Sequence, residues 1–241
     1  MNLNGKHILI TGSARRIGRS LALALAAEGA TIILHHGHSD DEAEQTRTEI
    51  ETLGSKAYIL QADLKDSQQV KDLIPQALEY GPLYALVNNA AIFESLTWDT
   101  TSLDDWNRHL AINLTAPFLL SQAFASALAP DGQGRIVNIL DWRALRPGPD
   151  HFPYTISKAA LVSLTHSLAA ALAPRITVNG MAMGAILPPS TGEATPDILK
   201  QVPAGRWADV NEVTQTLVFL LSGPDYITGD IIHIDGGRHL L

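Results

Sequence analysis

A doubly wound α/β domain, with a parallel seven-stranded sheet between two layers of helices, is what these 241 residues are patterned to form. Three observations point there. Seven short apolar runs rich in branched residues recur along the chain, as buried strands require. Stretches long enough for a helical crossover separate them, and that alternation predicts a parallel sheet covered on both faces. A glycine-bearing turn follows the first run and leads directly into a helix-like segment.

The runs fall at residues 7–11, 31–34, 56–61, 84–88, 135–140, 176–179 and 231–235. Between the first two, residues 17–28 are rich in Leu and Ala and stop at Gly29, a good helix terminator. Longer helical stretches are expected at 104–128 and 153–172. Residues 184–205 hold Pro188, Pro189, Pro196 and Pro203 and read as a substrate loop. No repeat, low-complexity tract or linker divides the chain, so residues 1–241 are taken as one domain with a single core.

Composition narrows the functions. With 25 acidic residues against 17 Lys and Arg, the net charge of −8 disfavours general binding to nucleic-acid backbones or anionic membranes. An anionic ligand must therefore meet a locally basic pocket. The chain has no cysteine, which removes disulfides, thiolate metal sites and cysteine nucleophiles. Residues 1–6 are too short and polar for a signal peptide, and no run approaches the roughly 20 uninterrupted apolar residues of a membrane span. A soluble, cytoplasmic protein with a small-molecule substrate is expected, free of nucleic-acid and membrane partners.

The first run is followed by Thr11-Gly12-Ser13-Ala14-Arg15-Arg16-Ile17-Gly18. A strand, a tight turn and a helix amino terminus place backbone N–H groups and a positive dipole end where a pyrophosphate can sit. NAD-selective sites usually end the second strand with a carboxylate that holds the adenosine 2′-hydroxyl and would repel a 2′-phosphate. Here that strand ends Leu34-His35-His36-Gly37-His38-Ser39, and Arg15 and Arg16 stand in the nearby turn. Guanidinium, imidazole and hydroxyl donors suit a phosphate, so NADP(H) is the expected cofactor. A metal site is not expected, because His35, His36 and His38 alternate faces if the strand continues. Ala62-Asp63-Leu64 and Asn88-Asn89-Ala90 follow the third and fourth runs at the same sheet edge and fit an adenosine and ribose pocket.

Tyr154 and Lys158 lie four residues apart, on one face of a predicted helix. An ammonium beside a phenol stabilises the phenolate, so Lys158 is expected to lower the Tyr154 pKa and ready it for proton transfer.

In order along the chain, the Thr11 to Gly18 turn, Asn88-Asn89-Ala90, Asn113, the Tyr154 and Lys158 pair, and Ile234-Asp235-Gly236-Gly237 resemble the short-chain dehydrogenase/reductase family. The resemblance covers nearly the whole sequence. It implies a Rossmann-type fold and a homotetramer built through the long helices; the apolar tail His239-Leu240-Leu241 is expected at a subunit contact or near a neighbour's pocket. It makes Tyr154 the proton donor, has Lys158 also hold the nicotinamide ribose, and gives Asn113 a part in a water-linked relay. It assigns Gly12, Ile17, Gly18, Asn89, Ala90, Ala91, Gly184 and Ile186 to the cofactor.

The departures are as informative. Asp141 stands thirteen residues before the tyrosine, where most members carry serine. Arg16 replaces the middle glycine of the turn, and Met183-Gly184 stands where many relatives have Pro-Gly. Asp141, Arg16 and the His-rich strand end resemble the pteridine reductases, and Phe93 matches the aromatic those enzymes stack on the pterin. The ending Asp235-Gly236-Gly237-Arg238-His239-Leu240 resembles the dihydromonapterin reductase branch. The expected activity is NADPH-dependent reduction of a dihydropterin or related pteridine, with Arg16, Phe93, Asp141 and Tyr154 meeting the substrate. Carbonyl or alcohol oxidoreduction, for example of a 3-oxoacyl thioester, is the alternative, followed by an NADP-binding regulator without turnover.

Overall fold

A computed structural model of the chain describes residues 2–187 and 197–241. Seven parallel strands make one sheet in the order β3-β2-β1-β4-β5-β6-β7. They are β1 (His7–Ile10), β2 (Thr31–His36), β3 (Ala57–Gln61), β4 (Leu83–Asn88), β5 (Gly134–Asp141), β6 (Ile176–Met183) and β7 (Ile231–Ile234). The order reverses between β1 and β4, and their carboxyl ends therefore open a crevice where neighbouring crossovers diverge.

Each face of the sheet holds apolar packing, which explains why the strands read as almost continuous apolar runs. Ile8 and Ile10 of β1 pack with α1 (Arg16–Ala27) on one face, and Leu9 packs on the other. After α2 (Asp40–Thr52), the second face is covered by α3 (Ser67–Leu78) and α5 (Ala116–Ala127), whose Phe124 is fully buried. The first face is completed by α8 (Val210–Ser222) through Val213, Leu217, Leu220 and Leu221.

The helix expected at 104–128 is present but interrupted. It starts as α4 (Leu103–Leu110), where Ser102 and Asp105 form a reciprocal cap, passes through a π-turn at Ala111–Thr115, and continues as α5. The helix α6 (Phe152–Leu172) packs chiefly on β6 and on the turn at Trp142–Ala144, and then on α4, the π-turn and β5. Residues 103–127 and α6 are long and apolar enough by composition to cross a membrane, yet both pack against the rest of the chain and carry buried polar side chains. Strand β6 extends four residues past its expected end at Asn179, because β5 and β7 pair with it through Met183. Of the expected substrate loop, Pro188, Pro189 and Pro196 lie outside the described residues. Its described part contains α7 (Asp197–Lys200) and closes on the β7 turn where Ala204 N–H donates to the Gly236 carbonyl at 3.0 Å.

Candidate active site

The turn after β1 is braced from the end of β4. Thr11 Oγ1 accepts from the N–H groups of Asn89 and Ala90 at 3.0 Å each. Asn89 Nδ2 donates back to the carbonyls of Thr11 at 2.8 Å and Gly12 at 2.9 Å. Asn89 therefore acts through the turn rather than as a free amide. A Cβ on Gly18 would lie 2.2 Å from the Gly12 carbonyl oxygen, so glycine is what lets α1 approach the turn. Arg16, at the position where sequence comparison expects glycine, takes φ 53°, a left-handed conformation that costs an ordinary residue about 1–2 kcal/mol. Arg15 and Arg16 are exposed, and Arg15 lies 3.9 Å from Glu42. No side-chain cap bond forms at Arg15 and the first turn of α1 holds no acid, an amino terminus suited to an anion. These features fit a dinucleotide: the α1 turn would hold the pyrophosphate, with Ile17 and Ala90 beside it.

His35 is not the phosphate donor expected from sequence. It is buried; Gly12 N–H donates to its Nδ1 at 3.1 Å, so Nε2 carries the proton and donates to the Ala62 carbonyl at 3.1 Å. Burial lowers its pKa to about 4 and keeps it neutral. It therefore ties the glycine turn to the end of β3. His36 is also buried, and its Nδ1 accepts from Ser39 N–H at 3.2 Å. Of the three, only His38 is exposed, beside the half-buried Ser39. Asp63 turns its carboxylate to the N–H of Lys65 at 3.0 Å and to its ammonium at 3.5 Å, while Leu64 is buried.

At the other end of the crevice, β5 delivers Asp141 and α6 delivers Tyr154 and Lys158. The Tyr154 hydroxyl donates to Asp141 Oδ2 at 2.9 Å, and Asp141 Oδ1 accepts from Arg143 N–H at 2.8 Å. The Lys158 ammonium donates to the Ile139 carbonyl at 2.5 Å and lies 5.9 Å from the Tyr154 ring centre. Burial, the Asp141 charge and its hydrogen bond push the phenol well above its ordinary 10, against a smaller opposing effect from Arg143. This reverses the expected lowering by Lys158, whose own pKa burial brings down to about 8 against the pull of Asp141. Placing a carboxylate at the usual serine position makes the phenol a held proton rather than a ready phenolate.

Asn113, in the π-turn, is fully buried and committed to structure. Its Oδ1 accepts from Ile92 N–H at 3.0 Å, and its Nδ2 donates to the Ile92 carbonyl at 3.1 Å and to Ser157 Oγ at 3.0 Å. Its amide thus fixes the β4 loop against α6, and any relay must use other atoms. Ala91, on the same loop, is exposed. Phe93 is 53% exposed and meets Tyr154 edge-on at 4.7 Å. Gly184 closes the site from β6: a Cβ there would lie 2.6 Å from the Asp235 Cα, while Ile186 is buried behind it.

Several neighbours carry no signal in the sequence beyond their closeness to Asp141 and Tyr154. Trp142–Ala144 forms a short 3-10 turn after Asp141, and Arg143 reaches from it to Asp150 at 2.9 Å. His151, at φ 51°, stacks on Phe93 with ring centres 3.8 Å apart and is held by a 2.9 Å bond to the Glu94 carbonyl. Arg238 packs its guanidinium 4.0 Å from the centre of the Trp142 ring.

Known proteins resemble this chain over nearly its whole length. A family model described as enoyl-(acyl carrier protein) reductase matches residues 12–239. A 3-oxoacyl-[acyl-carrier-protein] reductase from Synechocystis sp. is 33% identical over 98% of this chain and 97% of its own length. The structure of FolM alternative dihydrofolate reductase 1 from Brucella suis, in complex with NADP, matches with TM-score 0.91 and 37% identity over 98% of this chain and 96% of that one. A short-chain dehydrogenase from Burkholderia cenocepacia J2315, also in complex with NADP, matches with TM-score 0.92 and 35% identity over 99% of each chain.

Proposed function

Since the chain belongs to the short-chain dehydrogenase/reductase family, with NADP as the cofactor of its solved neighbours, we propose that it is an NADPH-dependent reductase of a dihydropterin or related pteridine. The observation that carries this reading is the 2.9 Å bond from the Tyr154 phenol to the Asp141 carboxylate, with Phe93 against the edge of the same phenol.

Bound NADPH supplies the hydride. The rest falls to the side chains. Tyr154 keeps its proton at neutral pH and gives it to the ring nitrogen beside the reduced carbon. Lys158, still largely cationic at pH 7, offsets the phenolate that remains. A ketone would develop an oxyanion, which gains little from a carboxylate that only accepts hydrogen bonds. A pteridine edge instead offers N–H donors to Asp141. Phe93 presents a flat apolar surface, and the stacking of His151 on it is the kind of contact a heteroaromatic ring would make. Arg16 serves the cofactor phosphates and the substrate edge.

Asp141→Ser tests this directly. Pterin kcat/KM should fall by about a hundredfold while the NADPH Kd stays within about threefold. Undiminished pterin turnover in the variant would refute the role of the carboxylate. A 3-oxoacyl thioester is the second reading, favoured by the name of the Synechocystis relative. It predicts the opposite response, a gain of thioester reduction on restoring serine.

A further inference from the structure

Beside the reacting groups runs a ladder of ring and guanidinium contacts, of which the proposed chemistry uses Phe93 alone. Phe93 lies 5.7 Å from the Arg143 guanidinium, Arg143 lies 4.9 Å from the Trp142 ring centre, and Arg238 lies 4.0 Å from the same ring. Thus the two ends of the chain's catalytic half, the turn after β5 and the turn after β7, meet over one indole. We propose that Arg143 and Arg238 form a subsite for an anionic group, a carboxylate or a phosphate ester, that the substrate carries away from its reacting ring.

Charge balance supports this. Arg238 is only 8% exposed, and its one side-chain partner among the described residues is the Gln201 amide oxygen at 3.0 Å. The nearest carboxylate in sequence, Asp235, is already engaged. Its Oδ1 accepts from Gly237 N–H at 2.9 Å, and its Oδ2 meets the N–H and Nδ1 of His239 at 2.8 Å each. Arg143 does have carboxylate company, with Asp150 at 2.9 Å and Asp141 at 3.9 Å, but Asp150 is half exposed. The Nε atoms of both arginines are buried without a hydrogen-bond partner. Burial and repulsion from Arg143 lower the Arg238 pKa, opposed by Asp141, Asp150 and Asp235.

Packing on an aromatic ring alone explains one guanidinium. It does not explain two like charges sharing a single indole with both inner N–H donors unsatisfied, in a chain of net charge −8 that repels anions at long range. An oxyanion at the outer N–H groups of the two guanidinium groups would relieve the repulsion. The inference rests on the pteridine reading for the ring that sits at Phe93, but the anion subsite itself can be tested without turnover.

The direct test is calorimetric titration of p-aminobenzoylglutamate, an acidic tail without a pteridine, into the NADP-loaded protein. Wild type should bind it, and Arg238→Gln and Arg143→Gln should each weaken binding about tenfold. Arg238→Lys, which keeps the charge and the apolar stem, should lose less, and equal NADPH affinity in all variants would show an intact fold. In parallel, kcat/KM is compared for dihydrofolate, a dihydroneopterin phosphate and uncharged dihydrobiopterin. Arg238→Gln should lower the ratio of an acidic substrate to dihydrobiopterin about tenfold, and whether dihydrofolate or the phosphate responds identifies a carboxylate or phosphate preference. No binding of the tail to wild type together with unchanged ratios would overturn the subsite. Arginine-dependent tail binding without turnover of any pterin would uphold the subsite and defeat the pteridine reading.

Discussion

His35 illustrates how a residue can matter to cofactor binding without touching it. Its neutral ring connects the part-buried Gly12 N–H to the carbonyl of the buried Ala62, which would otherwise lose this partner. His35→Ala should raise the NADPH Kd about tenfold, and an unchanged Kd would contradict the brace. The same residue should set part of the acid sensitivity. Its pKa is about 4 when folded and 6.5 when exposed, so between those values the unfolded chain binds the proton and the folded one does not. Stability should therefore fall as pH drops from 6.5 towards 4, by up to about 3 kcal/mol, and urea unfolding of His35→Ala should show a flatter profile. At this scale the sequence revealed chemistry better than orientation. Tyr154 and Lys158 stood out by their four-residue spacing, and Asp141 and Phe93 by the resemblance to the pteridine reductases; the structure brings Asp141 and Phe93 against Tyr154. Which way His35 pointed was not, because strand alternation gives the facing of a residue only once the end of the strand is known. The sign of the Tyr154 shift was also missed, since burial and Asp141 together raise it against a smaller opposing effect from Arg143.

Elements place these residues by interrupting regular structure. The π-turn at Ala111–Thr115 lets Asn113 point between the β4 loop and α6, where its amide makes three bonds. Asn113→Ala would leave the Ile92 backbone groups without that partner. It should cost about 2–4 kcal/mol, roughly 5–10 °C in Tm, with a loss of kcat because Phe93 and Tyr154 are tied through this joint. A Tm near that of wild type would contradict its role as the joint. All seven strands were legible from their apolar runs, whereas the π-turn was not. The periodicity around it stays helical, and the extra residue is accommodated by tertiary bonds to Ile92 and Ser157. Strand β6 was underestimated because Gly180 interrupts the branched pattern, although neighbours on both sides continue the pairing. The left-handed His151 and the 3-10 turn at Trp142–Ala144 were likewise hidden, since each is only one to three residues long.

Across the whole molecule, the parallel sheet gathers the ends of its strands at a single edge. The dinucleotide turn follows β1, its brace follows β4, the carboxylate ends β5, and the Gly184 and Asp235 contact joins β6 to β7. This topology was legible because buried parallel strands leave an unmistakable apolar pattern. The meeting of Arg143 and Arg238 was not, as the two stand in turns after β5 and β7, strands that flank β6 only once the sheet order is known. The fold provides an NADP-dependent oxidoreductase framework, and in the proposed reading Asp141 directs it towards a ring nitrogen. The decisive measurement is steady-state NADPH oxidation with dihydrobiopterin and acetoacetyl thioester offered side by side. Faster turnover of the dihydropterin, with tetrahydropterin as the product, is expected; turnover of the thioester alone would contradict the assignment.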